Sequence, residues 1–293
     1  MAAPPRIHFV RHGQAFHNLS ADLYHLPDPL LTPLGKRQCE ELRNTFPHHA
    51  SISIIISSPL TRCLQTSVLA FPATISLHPR PIVAQPLLQE TSHLPCDTGT
   101  AFPLLLGGLP NLLGISAARV DLSHLTDHEW LDKRANGPHG TSGKSLEARA
   151  KSARQWLRML RNKGHTDVAV VCHAGFLGWL TGTRRASWAV QKGKDQWENC
   201  EWRTYEFVSG DDKDAVLVEA AESRVRRGVC SEEEAAHEET EKSAARKSWK
   251  DLLKPKKGER DEDGGEGYGG EMESLNKAQH TTLMKNRDWV GGY

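Results

Sequence analysis

The sequence predicts an α/β fold of three layers, with helices on both faces of a mostly parallel central sheet. Short Val/Ile-rich runs bounded by breakers have the composition of strands buried on both faces. Segments with helical periodicity lie between them, and that alternation covers a sheet from both sides. Towards the C-terminus apolar residues give way to charge and glycine, which predicts a disordered tail. At 293 residues the chain can hold one large domain or two small ones, with an ample core.

The first strand is Ile7–Val10, ending at Arg11-His12-Gly13. "TPLGKRQCEELRNTF" then opens a helix, with Thr32 as N-cap and Pro33 at the first helical position. The second strand is "SISIIIS" (Ser51–Ser57), and the following "SPLTRCLQT" places Arg62 early in a helix. A weaker, proline-interrupted third strand, "RPIVAQPLL" (Arg80–Leu88), leads to Glu90. The longest apolar stretch, Ala101–Ile115, is broken by Pro103, Gly107, Gly108 and Pro110. It is too short and too interrupted for a bilayer span and reads as a covering loop or short helical insert near a pocket. In "SLEARAKSARQWLRMLRNKG", Leu146, Ala150, Ala153, Leu157 and Leu160 recur at helical spacing, and Gly164 suits the C-cap. "DVAVV" (Asp167–Val171) is the strongest fourth strand and leads to Cys172-His173-Ala174-Gly175.

Beyond "RTYEFV" (Arg203–Val208) the composition changes to "SEEEAAHEETEKSAARKSWKD" and "KPKKGERDEDGGEGYGGE". Such segments bury too little apolar surface to offset ordering entropy. The expected boundary lies near 210, with 1–210 as the folded domain and 211–293 as a charged, Gly-rich, mostly disordered tail. Within it Ser231–Leu253 reads as a solvated helix, because Glu and Lys alternate along it.

Charge and cysteine usage exclude several classes. Lys plus Arg number 37 against 36 Asp plus Glu, so no broad basic face for nucleic acid is expected. A local anion site built from a few Arg and His is compatible with that balance. The six cysteines are scattered with no CxxC pair, which reads as reduced thiols of an intracellular protein. "MAAPPRIHFV" lacks a basic region followed by an apolar one, so the expectation is a soluble, cytoplasmic protein with no membrane span.

Four strand ends thus present Arg11 and His12, Arg62, Glu90, and His173. In open α/β sheets ligands bind beyond the carboxyl ends of the strands. Two arginines, two histidines and a carboxylate there suit a phosphoryl group, because Arg offers bidentate donors and His offers a donor or a nucleophile.

These residues resemble the signature of the histidine phosphatase superfamily, the phosphoglycerate mutase-like proteins. "FVRHGQAFHN" is similar to its strand, Arg-His-Gly and following Asn. "SSPLTRCLQTS" resembles its second motif, "LLQE" its acid-bearing segment, and "VVCHAGFL" its final histidine region, all in order from Pro5 to Val208. "WENCEWRTYEFV" and "LQETSHLPCDTG" resemble the fungal branch. The resemblance implies a phosphoglycerate mutase-like fold and a domain that forms a phosphohistidine. His12 would be the nucleophile, which requires a neutral imidazole. Arg11, Arg62 and His173 would hold the phosphoryl oxygens, Glu90 would serve as acid and then base, and Asn18 would hydrogen-bond the phosphoryl group or the substrate. It implies no metal and no cofactor, the arginines supplying the electrostatics.

The family usually continues from its acid into a glycine-containing segment, whereas "TSHLPCDTG" follows Glu90; Asp97 is the alternative acid. His17 reads as a substrate-side or solvated histidine, and Cys172 as a buried thiol. "HGTSGKS" (His139–Ser145) imitates a P-loop, but Pro138 stands where its first glycine belongs, so it reads as a loop ahead of the helix. The many histidines lack carboxylates at ligand spacing, which argues against a metal.

Two outcomes fit one such site. A phosphatase admits water to the phosphohistidine, and a mutase excludes it. The departure after Glu90 favours hydrolysis of a small phosphomonoester, or a diphosphate. The alternatives are a mutase-type phosphotransferase and a non-catalytic module that binds a phosphorylated ligand.

Overall fold

In a computed structural model the described residues are 4–77, 82–125, 129–134, 136–183, 195–238 and 240. Among them one sheet runs in the order β4 (Val120–Asp121), β3 (Ile82–Ala84), β2 (Ile52–Ser57), β5 (Asp167–Cys172), β1 (Arg6–Arg11), β6 (Trp202–Phe207), β7 (Leu217–Glu219). Neighbours from β4 to β1 are parallel, and β6 is antiparallel to both β1 and β7. The fold is therefore the mixed α/β class expected, with a mostly parallel sheet.

Burial on both faces explains the strand composition. Val10, Ile52, Ile55, Ala169 and Val171 pack towards α1 (Pro33–Thr45), α2 (Thr61–Ala70) and α4 (Phe102–Leu113), the short α3 (Pro72–Leu77) following α2. Ile7, Phe9, Ile54, Ile56, Val168 and Val170 pack towards α5 (Gly143–Met159) and α6 (Ala174–Leu180). Strict alternation would put Ile52 and Ile54 on one face; the register shift between them against β5 moves them to opposite faces.

Thr32 caps α1 as expected, its Oγ1 accepting from Gly35 N, with Pro33 beginning the helix. The insert at Ala101–Ile115 is helix α4, closed by Gly114 at φ +66°, and Gln65 of α2 donates to its Leu112 carbonyl. Ser142 caps α5, which begins at Gly143, two residues before the expected Ser145. The third strand is shorter than expected: β3 covers only Ile82–Ala84, and Pro86–Leu88 form a 3-10 turn capped by Gln85. Pro86 has no N–H to extend the ladder.

The folded chain also continues past the boundary expected near 210. β7 pairs with β6, and α7 (Ala221–Arg226) follows it. Ala215 and Leu217 enter the core, so a few inward positions suffice amid charged neighbours, and average composition conceals them. Of the helix expected at Ser231–Leu253, residues 232–238 are helical. The tail from 241 lies outside the described residues. Cys39 and Cys200, far apart in sequence, bring their sulfurs to 3.7 Å, and all six cysteines are free thiols.

The start of α1 is seated on the loop after β1. The Gln14 carbonyl accepts from Thr32 N at 2.9 Å, and a Cβ on Gly35 would stand 2.0 Å from that oxygen. Gly35→Ala is therefore expected to destabilise the domain by about 2–3 kcal/mol, read as a lowered urea midpoint. An unchanged midpoint would show that the loop gives way freely.

Candidate active site

Parallel pairing sets the site. Arg11 lies opposite Cys172, Val171 opposite Ser57, and Ser57 opposite Ala84, so β1, β5, β2 and β3 end at one edge. The ladder runs one step further, with His12 N donating to Cys172 O (3.0 Å) and Ser58 N to Val171 O (2.9 Å). His12, His173 and Ser58 are thereby carried side by side, each one residue beyond its strand.

His12 is buried, and its Nδ1 lies 2.7 Å from Gly13 O. A carbonyl only accepts, so Nδ1 carries the proton and Nε2 presents its lone pair. Arg62 Nε donates to that Nε2 at 3.3 Å. Burial first, then the Arg62 and Arg11 charges, holds His12 well below the usual imidazole range, so the ring is neutral. Thr66 of α2 accepts from Gly13 N and keeps the loop in place.

Arg62 is fully buried and joins the parts of the site. Its Nη1 donates to Cys96 O (2.6 Å), and its Nη2 to Asp97 Oδ1 (3.0 Å) and His173 Nδ1 (3.1 Å). Arg cannot accept, so His173 Nδ1 is the acceptor and its Nε2–H donates to Ser58 Oγ at 2.8 Å. Burial and Arg62 also hold His173 well below the usual imidazole range. The N-terminus of α2, which carries Arg62, is tied down by Asp28. Its carboxylate accepts from Thr61 N and Thr61 Oγ1, at 2.9 and 2.7 Å, and from Thr100 Oγ1.

Asp97 uses both oxygens as acceptors, one from Arg62 and one from Ser92 Oγ (2.6 Å). It is the counterion of Arg62. Glu90 accepts from Thr91 N at 2.8 Å and from Gly175 N at 3.3 Å. Burial, then the Asp97 charge, pushes the Glu90 carboxyl above its ordinary range. A Cβ on Gly175 would stand 2.4 Å from Glu90 Oε1, so only glycine leaves that carboxyl where it is.

Two buried cations brace this segment. Lys133 Nζ donates to the carbonyls of Glu90 (2.9 Å) and Asp97 (2.7 Å), and burial brings it down to about 7. Arg149 donates to the carbonyls of Gln89 and Glu90 and lies over the Phe176 ring. Sequence reasoning missed Ser58, Lys133, Arg149 and Asp28. Arg149 had a legible signal, a charge among the inward positions of α5. Lys133 and Asp28 had none, since both lie in irregular inserts.

Arg11 donates to Trp197 O at 2.6 Å, while its Nε is buried without a partner among the described residues. Asn18 accepts from Ala15 N with Oδ1 (3.0 Å) and turns Nδ2 to His17 Nε2 (3.2 Å), so both ends are used locally. His17 is buried rather than solvated, its ring centroid 5.7 Å from that of His12. Thus Arg11, His12, Arg62, Glu90 and His173 come together, while Asn18 stands behind His17. Among the described residues no group of three or more His, Cys, Asp or Glu could hold a metal ion, and no helix is long and apolar enough to cross a membrane.

Replacing Arg62 leaves Asp97 buried without its cation. Arg62→Met is expected to cost roughly 3 kcal/mol of stability, measured by urea unfolding, and to weaken binding of tungstate, a phosphoryl analogue. Wild-type stability would show that the pair is solvated.

The arrangement can hold a phosphoryl group between buried cations beside a neutral imidazole. The model of the histidine phosphatase superfamily (branch 1) matches residues 7–100. A "Phosphoglycerate mutase-like protein" of Arabidopsis thaliana is 28% identical over 210 residues, 59% of this chain and 72% of that protein. The "Probable phosphatase" of Schizosaccharomyces pombe is 33% identical over 96 residues, 32% of this chain and 44% of that protein. A mutant phosphoserine phosphatase of Entamoeba histolytica, solved with phosphoserine, is 19% identical with a TM-score of 0.44, covering 73% of this chain and 94% of that one. Family model and relatives together support the histidine phosphatase superfamily, in its phosphoglycerate mutase-like form, for this chain.

Proposed function

We propose that the protein is a metal-independent phosphatase that hydrolyses a small phosphomonoester, or a diphosphate, through a phosphohistidine on His12. The observation that carries this reading is the fixed His12 tautomer: Nδ1–H donates to Gly13 O, and the unprotonated Nε2 faces Arg62.

His12 Nε2 attacks phosphorus, and the N–P bond forms as the P–O bond to the leaving group breaks. The Glu90 carboxyl passes its proton to the departing oxygen. Arg62 exchanges its imidazole partners for phosphoryl oxygens, and Arg11 adds donors, offsetting the charge of the transition state. Once Arg62 leaves its Nδ1, His173 takes the other tautomer, with Ser58 Oγ–H donating to its Nε2, and its Nδ1–H then holds a phosphoryl oxygen. Glu90, now a carboxylate, takes a proton from water. That water attacks phosphorus, the N–P bond breaks, and orthophosphate leaves with His12 neutral again.

A relative named "Probable phosphatase" supports hydrolysis. The phosphoglycerate mutase-like relatives keep the mutase reading as the second one. The proposed fungal-branch placement rests on "WENCEWRTYEFV" and "LQETSHLPCDTG". Brief exposure to radiolabelled substrate should trap an acid-labile, base-stable phosphoenzyme, with orthophosphate as product. Turnover should persist in chelator. No label at His12 overturns the mechanism, and label returned only to substrate isomers favours the mutase.

A further inference from the structure

Two hydrogen bonds and burial fix the state of His17, which the proposed chemistry leaves unused. Ala15 N donates to Asn18 Oδ1 at 3.0 Å, so the amide orientation is set and its NH₂ end faces the imidazole. Asn18 Nδ2 lies 3.2 Å from His17 Nε2 and donates to it, so that nitrogen carries the lone pair. Burial, followed by the Arg62 charge, brings His17 down to about 3, so the ring is neutral and its one proton sits on Nδ1. That Nδ1–H is buried, His17 being 8% exposed, and has no partner among the described residues. A buried donor without an acceptor is costly and is rarely left in a native structure without a ligand or water to take it.

Its position says what would take it. The ring stands 5.7 Å, centroid to centroid, from the His12 ring, and the charges it feels are those of Arg62, Asp97 and Arg11. We propose that His17 is a phosphoryl-binding residue whose Nδ1–H donates to a non-bridging phosphoryl oxygen at His12, with Asn18 as the positioning residue that holds its tautomer. This rests on the phosphatase reading, because it needs a phosphoryl group at His12. It also reassigns Asn18. The contact expected of its amide passes to the neighbouring imidazole, since both ends of the amide are already engaged. A neutral donor adds a directed hydrogen bond without adding positive charge beside two arginines, so it tightens geometry without further trapping the product anion.

The test uses the full chain labelled with ¹⁵N-histidine and titrated with tungstate, followed by NMR. His17 is expected to show a protonated Nδ1 and an unprotonated Nε2 in the free protein, and its Nδ1–H signal should shift on saturation. His17→Phe, which removes the donor but keeps a ring, should weaken tungstate binding about five- to tenfold while His12 still labels with phosphate. Asn18→Ala should leave His17 in a mixture of tautomers and lose less affinity than His17→Phe. A His17 Nδ1–H signal unmoved while His12 and His173 respond overturns the inference alone, as does wild-type affinity in His17→Phe. Wild-type protein that neither binds tungstate nor labels overturns this inference and the phosphatase reading together.

Discussion

His12→Ala is expected to lose turnover of a chromogenic phosphoester by on the order of 10⁴-fold, about 5.5 kcal/mol of barrier, and to lose all covalent phosphate label. The size follows from what is removed. No other described side chain presents a neutral, correctly protonated nitrogen to the same place: His173 spends Nε2–H on Ser58 and Nδ1 on Arg62. His17 turns its lone pair to Asn18. Tungstate should still bind the variant, because Arg11, Arg62 and His173 stay in place. That combination separates an enzyme from a module that only binds phosphorylated ligands, for which His12 would be dispensable. Comparable rates for His12→Ala and wild type would falsify the phosphohistidine route.

Glu90→Gln is expected to lower kcat/KM by roughly 10³-fold for an alkyl phosphate, whose leaving alkoxide needs a proton. For p-nitrophenyl phosphate the loss in kcat/KM should be less than about tenfold, since that leaving group departs as an anion and the acid has little to supply. Hydrolysis of the phosphoenzyme would slow with either substrate, because the variant has no base for water, so phosphohistidine should accumulate. The pH profile carries the sign of the shifts. Glu90 is raised, so its working protonated form is lost as pH rises through that raised value. His12 is lowered, so its neutral form is lost only as pH falls through that lowered value. Wild-type kcat/KM for the alkyl phosphate should therefore show a plateau between the two, and Glu90→Gln should remove the alkaline limb alone. Equal losses with both leaving groups, or an alkaline limb that persists in the variant, would assign the proton to another group.

The contrast between Glu90 and Asp97 shows how far sequence carries. Both are carboxylates in one irregular stretch, and nothing in "LQETSHLPCDTG" tells which of them pairs with a cation. Folding separates them electrostatically. Asp97 meets Arg62 and Ser92, whereas the described hydrogen bonds of the Glu90 carboxyl come from two backbone N–H groups in a site that disfavours charge. The same holds for Lys133, which reaches the carbonyls of Glu90 and Asp97 across more than thirty residues of chain.

By itself the sequence determined the α/β class, the four strand ends that meet in the site, and the N-cap of α1. These are local matters of composition, periodicity and the chemistry of adjacent residues, and a motif such as Arg-His-Gly is read where it stands. Tertiary structure decided which end of each side chain is occupied. Parallel pairing of β1, β5, β2 and β3 sets His12 beside His173, and only then does Arg62 join both to Asp97. It also decided that β7 belongs to the sheet despite its charged surroundings, and that His17 is an interior donor rather than a solvated ring. The physical reason is common to all of these. Protonation state and hydrogen-bond direction depend on partners and burial supplied from distant parts of the chain, and those come into existence only when the sheet closes.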